Sequence, residues 1–239
     1  MRFFVTLKER TCSDAQELAA MLTHRMCSIE YQDDLVKKGL LRYAFRAKNG
    51  LKAILMFEVV ALEELDALVK RDPGWAYSRA EVVPVVTTEA LVREAQGYLN
   101  EKILSEDEVK ALEIPLQVIE PHAQYWLAWK EVKPFSPLLP DEDQNDVYRR
   151  TLLAQKSHGD PVEFSDENPV GLSVGILIAK GDLEAARRHV ETCDVFPDTI
   201  VEYMEIVPLQ RAWETAREEL LRLRRPCTRK NPFSHASPN

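Results

Sequence analysis

At 239 residues, with a formal charge of -8 and a pI near 5.3, the chain has room for one large domain or two small ones. Nothing in it suggests the concentrated basic face of a general nucleic-acid binder. Aliphatic and aromatic residues make up 45% of it, enough for a buried core. The longest early apolar run, Phe3–Leu7, is far short of the ~20 residues a bilayer span needs. Cys12, Cys27, Cys193 and Cys227 show no metal-ligand spacing, so a reduced, cytoplasmic protein is the expectation.

In chain order, alternation predicts a strand at Arg2–Lys8, followed by a long helix over about Asp14–Lys38 and a strand at Leu41–Ala47. Asn49-Gly50 is a hairpin signal, because both central residues of a type I′ turn need positive φ. A strand at Leu51–Val60 and a helix at Leu62–Lys70 follow, with Leu62, Leu65, Leu68 and Val69 at helical spacing, then a strand at Ala80–Val86. This is the β-α-β-β-α-β order of a ferredoxin-like unit. A charged connector reads as two helices, the second begun by the capping sequence Ser105-Glu106-Asp107-Glu108.

The same order is then expected again: strand Tyr125–Val132, helix about Asp141–Ser157, strands near Val162–Phe164 and Val170–Lys180, helix Leu183–Glu191 and strand Val201–Val207. A last helix runs through Trp213, Leu220 and Leu223 to a basic tail expected to fray. RFFVTLKER at Arg2–Arg10 returns as QYWLAWKEV at Gln124–Val132, and the same offset carries Asp72 onto Asp194. Such self-similarity indicates an internal duplication. The expected domains are 1–87, ferredoxin-like; 88–121, a helical connector; 122–210, a second ferredoxin-like unit; and 211–239, a helix and tail.

Strand alternation points Phe3, Val5 and Leu7 one way and Phe4, Thr6 and Lys8 the other. Left in water, Phe4, Tyr43 and Trp126 would form the kind of apolar patch soluble proteins avoid. The expected fold class is therefore α+β, two tandem ferredoxin-like domains packed sheet to sheet around a barrel-like interior able to hold a small molecule.

Lys8, Arg42, Arg46 and Lys130 fall on or beside strands, as carboxylate clamps or as rim partners of the many glutamates. On the first helix Leu18, Leu22, Met26 and Ile29 form the expected core stripe, with His24, Ser28 and Tyr31 beside it. Histidine titrates near pH ~6.5, so His24 can accept and return a proton, with Asp72 fixing its tautomer. The plainer alternative makes His24 a surface residue and Asp72 the cap of the Pro73 turn. Tyr43 and Trp75 can stack on an unsaturated ring and Tyr77 can donate to a carbonyl, or all three are core. His158 reads as a helix C-terminal residue and His189 as solvated. Gly171 and Gly175 lack the third glycine of a dinucleotide site, and Cys27 reads as core.

GLLRYAFRAKNGLKAILMFEV, Gly39–Val59, resembles the middle of the muconolactone isomerases, from Gly39, Arg42, Phe45 and Arg46 to the Phe57-Glu58-Val59 triplet. The turn Asp72-Pro73-Gly74-Trp75-Ala76-Tyr77 is similar to the YCII-related branch of the same dimeric α+β barrel superfamily. The resemblance implies a cofactor-independent, isomerase-like or lyase-like enzyme that moves a proton on a small unsaturated lactone or aromatic-catabolite acid. It implies no metal or organic cofactor and a barrel made within one chain that can associate further as a homo-oligomer; charge and the lack of a long apolar run already argue against a nucleic-acid or membrane partner. His24 becomes the proton shuttle, Asp72 its orienter, and Arg46 with Arg42 the carboxylate clamps. Ser28 stands where the isomerases' first-helix glutamate is expected. The alternatives are a cofactor-free oxygenase of phenols or quinols and a non-catalytic ligand-binding barrel.

Overall fold

The structure is a computed structural model that describes residues 1–100, 102–111, 119–132, 162–165, 173–193 and 199–224. The first half supplies β1 (Arg2–Glu9), α1 (Ala15–Lys37), β2 (Leu41–Ala47), β3 (Lys52–Glu58), α2 (Leu62–Arg71), a 3-10 turn at Pro73–Tyr77 and β4 (Ser78–Thr87). Two connector helices follow, α3 (Thr88–Leu99) and α4 (Glu106–Ala111). The second half supplies β5 (Tyr125–Val132), β6 (Val162–Ser165), β7 (Ser173–Lys180), α5 (Leu183–Cys193), β8 (Thr199–Pro208) and α6 (Leu209–Arg224). The expected helix at Asp141–Ser157, the tail, and Asp194, His158 and Gly171 lie outside the described residues. None of the described helices is long and apolar enough to cross a membrane.

This is an α+β arrangement of ferredoxin-like type. The strands pair in the cyclic order β1-β3-β2-β8-β5-β7-β6-β4, and β4 returns to β1. Within each half the ladders are long, as in β5 against β8 from Tyr125↔Ile206 to Val132↔Thr199. Between halves they are short: β2 meets β8 at Phe45↔Pro208, Arg46↔Val207 and Ala47↔Ile206, and β4 meets β6 at Val86↔Phe164 and Thr87↔Glu163. The halves are thus joined through strand edges as well as facing one another. Edge strands carry unpaired N–H and C=O groups, and closure satisfies them.

The alternation in β1 sorts two cores. Phe3, Val5 and Leu7 pack outward under the helices with Leu35, Leu41, Leu55, Phe57 and Leu65. Phe4 packs inward with Tyr43, Phe45, Ile54, Met56, Tyr125, Leu127, Ile176 and Ile206, so both halves fill one interior. Phe4 lies against Trp129 with ring centroids 5.5 Å apart. Burying a side chain of this size contributes ~1.5–3 kcal/mol.

One local expectation changes. The Asn49-Gly50 turn is not type I′: Gly50 alone has positive φ (74°), its N–H closes the turn on the Ala47 carbonyl at 2.8 Å, and Asn49 Oδ1 accepts from Leu51 N–H. The apolar stripe of α1 is buried as expected, but against α6: Leu18, Leu22 and Met26 pack on Ala216 and Leu220, with Ile29 beside Val207 and Ala212. A second buried face carries Met21, Arg25, Ser28, Gln32 and Leu35. With one helix on its apolar stripe, α1 turns a largely polar face to the protein interior.

Ser105 does cap α4: its Oγ accepts from Glu108 N–H at 3.3 Å, while Glu108 accepts from Ser105 N–H and Oγ.

Candidate functional site

The polar face of α1 meets the outer face of the first-half sheet in a buried seam. Glu9, at the end of β1, accepts from Arg25 Nε at 3.1 Å and from Arg46 Nη1 on β2. Both guanidiniums are shut from water, Arg46 with 2% of its surface exposed. Burial works against the charge of Arg46, and Glu9 opposes that effect. Gly50 lies over the cluster, where an added Cβ would stand 2.8 Å from Arg25 Nη1.

One turn further along α1 the seam continues without guanidinium groups. Gln32 donates from Nε2 to Ser28 Oγ at 2.9 Å and to Asp72 Oδ2 at 2.7 Å. Asp72 also accepts from Gly74 N–H at 2.7 Å, capping the 3-10 turn. Ser28 and Gln32 are fully buried and Asp72 nearly so. Gln32 Oε1 and Arg46 Nε have no hydrogen-bond partner. Tyr31 donates to the Leu68 carbonyl at 3.0 Å, and burial, with Asp72 near, raises its phenol above the ordinary range.

These contacts locate the residues singled out from sequence. Ser28 and Asp72 come together through Gln32. His24 is exposed and stacks on Tyr77, ring centroids 4.9 Å apart, and no hydrogen bond joins it to Asp72. Arg46 is held by Glu9, while Arg42 lies 3.8 Å from Glu58. Trp75 packs into the outer core with Tyr31 and Leu68. Tyr43 lies on the opposite face of the sheet, inside the barrel, with its hydroxyl lacking a hydrogen-bond partner. Sequence reasoning missed Glu9, Arg25 and Gln32. The available signal was the three- and four-residue spacing of Arg25, Ser28 and Gln32 on one helix face.

A second feature lies inside the barrel. A cavity of about 270 Å³ opens there, floored by Phe4, Ile54, Val83 and Leu127, with Trp129, Tyr203 and Met204 on its second-half wall. Thr6, Lys52, Glu81 and Glu202 supply its polar lining. A concave, mostly apolar space with a few polar groups is the usual form of a small-molecule site. Among the described residues no group of three or more His, Cys, Asp or Glu side chains is placed to hold a metal ion.

Comparison with known proteins revises the family expectation. No protein family's sequence profile matches the chain, and no curated protein matches it. Solved structures do. The provisionally assigned chlorite dismutase TA0507 is 12% identical, with 90% of this chain and 99% of that chain covered and a TM-score of 0.53. A mutant chlorite dismutase from Candidatus Nitrospira defluvii is 11% identical over 90% of this chain and 95% of that one, with a TM-score of 0.55. The resemblance to muconolactone isomerases and YCII-related proteins therefore gives way to a fold shared with chlorite dismutases over 90% of the chain. The reading as a cofactor-independent isomerase or lyase falls with it, because its support was that resemblance. Gly39–Val59 misled because it is a β-hairpin whose inward and outward apolar positions any ferredoxin-like half requires.

Proposed function

We propose that the chain binds a small molecule inside the closed sheet, in the cavity bounded by Phe4, Thr6, Ile54 and Trp129. The observation that carries this reading is the open volume inside the sheet, walled by residues of both halves. Supporting it is the equivalence of the halves, β4-β1-β3-β2 and β8-β5-β7-β6. On this view the chain is a tandem pair of ferredoxin-like domains that makes alone the interior two chains would otherwise share. Ser28, Gln32, Arg46 and Asp72 then serve to fix α1 on the sheet.

Benzyl alcohol is a suitable neutral probe. At ten times its Kd a ligand of the folded state adds about 1.4 kcal/mol, or roughly 3–6 °C in Tm for a chain of this size. Thr6→Phe, which fills the cavity from a half-buried position, is expected to remove that shift. A shift of equal size in the variant would sink the reading.

The fold supports a second reading, an oxidoreductase like the chlorite dismutases it matches. That chemistry is redox and implies haem, whose iron takes His, Cys, Met or Tyr as axial ligand. The following side chains do not fit such a group. His24 and His122 are exposed, Cys27 is exposed and Cys12 lies beside Met21 outside the barrel. Tyr203 and Met204 line the cavity, but its volume is below the ~300–1,000 Å³ usual for drug-sized ligands. No catalytic step runs through haem at these residues. Titration of the purified chain with hemin decides: a saturable Soret change at one equivalent would establish the oxidoreductase reading with ligands outside the described residues. Unsaturable absorbance would remove it.

A further inference from the structure

The strand register sets the cavity in layers. Across β3, β1 and β4, Met56, Phe4 and Val83 are direct partners, then Ile54, Thr6 and Glu81, then Lys52, Lys8 and Arg79. Successive inward positions on a strand are two residues apart, so the layers rise ~7 Å each. The innermost layer is wholly apolar and the next is mixed. The outermost places three cations side by side on neighbouring strands.

Like charges directly opposite one another across a ladder are destabilising. Among the described residues Lys8, Lys52 and Arg79 make no ion pair or hydrogen bond that would offset this, whereas most of the arginines around them are paired, as Arg2 is with Glu58 and Arg10 with Glu17. Lys52 lines the cavity itself. Glu81 and Glu202 also face it, both exposed, and the register sets Lys8 and Arg79 beside Lys52, next to its lining.

We infer that the cavity takes a small aromatic carboxylate, its ring inward against Phe4 and Trp129 and its carboxylate outward among Lys52, Lys8 and Arg79. This rests on the reading of the cavity as a ligand site and adds the ligand's chemical class. Phe4 and Lys8 stand two layer steps, ~14 Å, apart. One ring with its carboxylate, about one step long, therefore occupies the middle layer beside Thr6 and Ile54, with the long cationic side chains reaching down to the anion. The ring replaces water over the apolar layer, and the anion relieves the repulsion among the cations. Thr6 offers its hydroxyl between them.

The test compares benzoate with benzamide, its neutral near-isostere, and with benzylamine, by calorimetry or NMR titration of the full chain at low salt. Benzoate is expected to bind at least tenfold tighter than benzamide, with the margin shrinking in high salt as screening predicts. Lys52→Met should weaken benzoate at least tenfold and leave benzamide unchanged. Lys8→Met serves the same purpose should the first variant fail to fold. Equal binding of benzoate and benzamide, tighter binding of benzylamine, or no effect of either lysine variant would overturn the inference. If benzamide binds the wild type and not Thr6→Phe while benzoate gains nothing, only the anionic class fails. If none of the three binds, the cavity reading fails as well.

Discussion

Replacing Glu9 with alanine is expected to cost about 3–5 kcal/mol of folding stability. Glu9 is the one carboxylate bonded to both Arg25 and Arg46, and all three are buried. Removing it leaves two buried guanidiniums facing each other with no carboxylate bonded to either. Each guanidinium keeps its proton, so the penalty cannot be escaped by neutralisation. For a domain of this size the loss corresponds to roughly 10 °C in Tm, read by thermal or urea denaturation. The triple change Glu9→Leu, Arg25→Met and Arg46→Met should recover most of it, since apolar replacement of a whole buried ion cluster is often near neutral. A loss below about 1 kcal/mol for Glu9→Ala would show that the cluster reaches water.

Asp72→Ala is expected to cost about 2–4 kcal/mol, because it strands two buried donors, Gln32 Nε2 and the Gly74 N–H. Asp72→Asn should cost about 1 kcal/mol or less. The new amide still accepts from Gly74, and its NH2 group can donate to Gln32 Oε1, which has no partner in the native seam, once the Gln32 amide turns over. The comparison separates a hydrogen-bonding role from a need for negative charge. Equal losses for the two variants would mean that the charge of Asp72 matters through Arg46.

What sequence could show and what it could not divide along a physical line. Features with local periodicity were legible: the alternation of Phe3, Val5 and Leu7 against Phe4, the Ser105–Glu108 cap, and the helix through Trp213 and Leu220 all stand in the structure. The polar face of α1 was not. Nothing local marks Arg25 and Gln32 for burial, and their partners Glu9 and Asp72 lie 16 and 40 residues away. Only tertiary packing makes such residues core. Arg42 and Arg46 looked like ligand clamps for the same reason, yet the structure places Glu58 and Glu9 beside them. The cation layer at the barrel mouth needed the register of three strands at once, which no single segment carries. His24 illustrates the opposite case: its spacing from Ser28 and Tyr31 was right, but a helix exposes one face to solvent, and His24 stands there against Tyr77.

The two joints between the halves are unequal, three residue pairs at β2 with β8 and two at β4 with β6. A ring that parts at both joints releases two intact four-stranded plates with bare edges, and those edges match a sibling molecule's as well as their own. The chain therefore carries the geometry for domain swapping, in which each copy lends its second plate to the other and every ladder re-forms across two polypeptides.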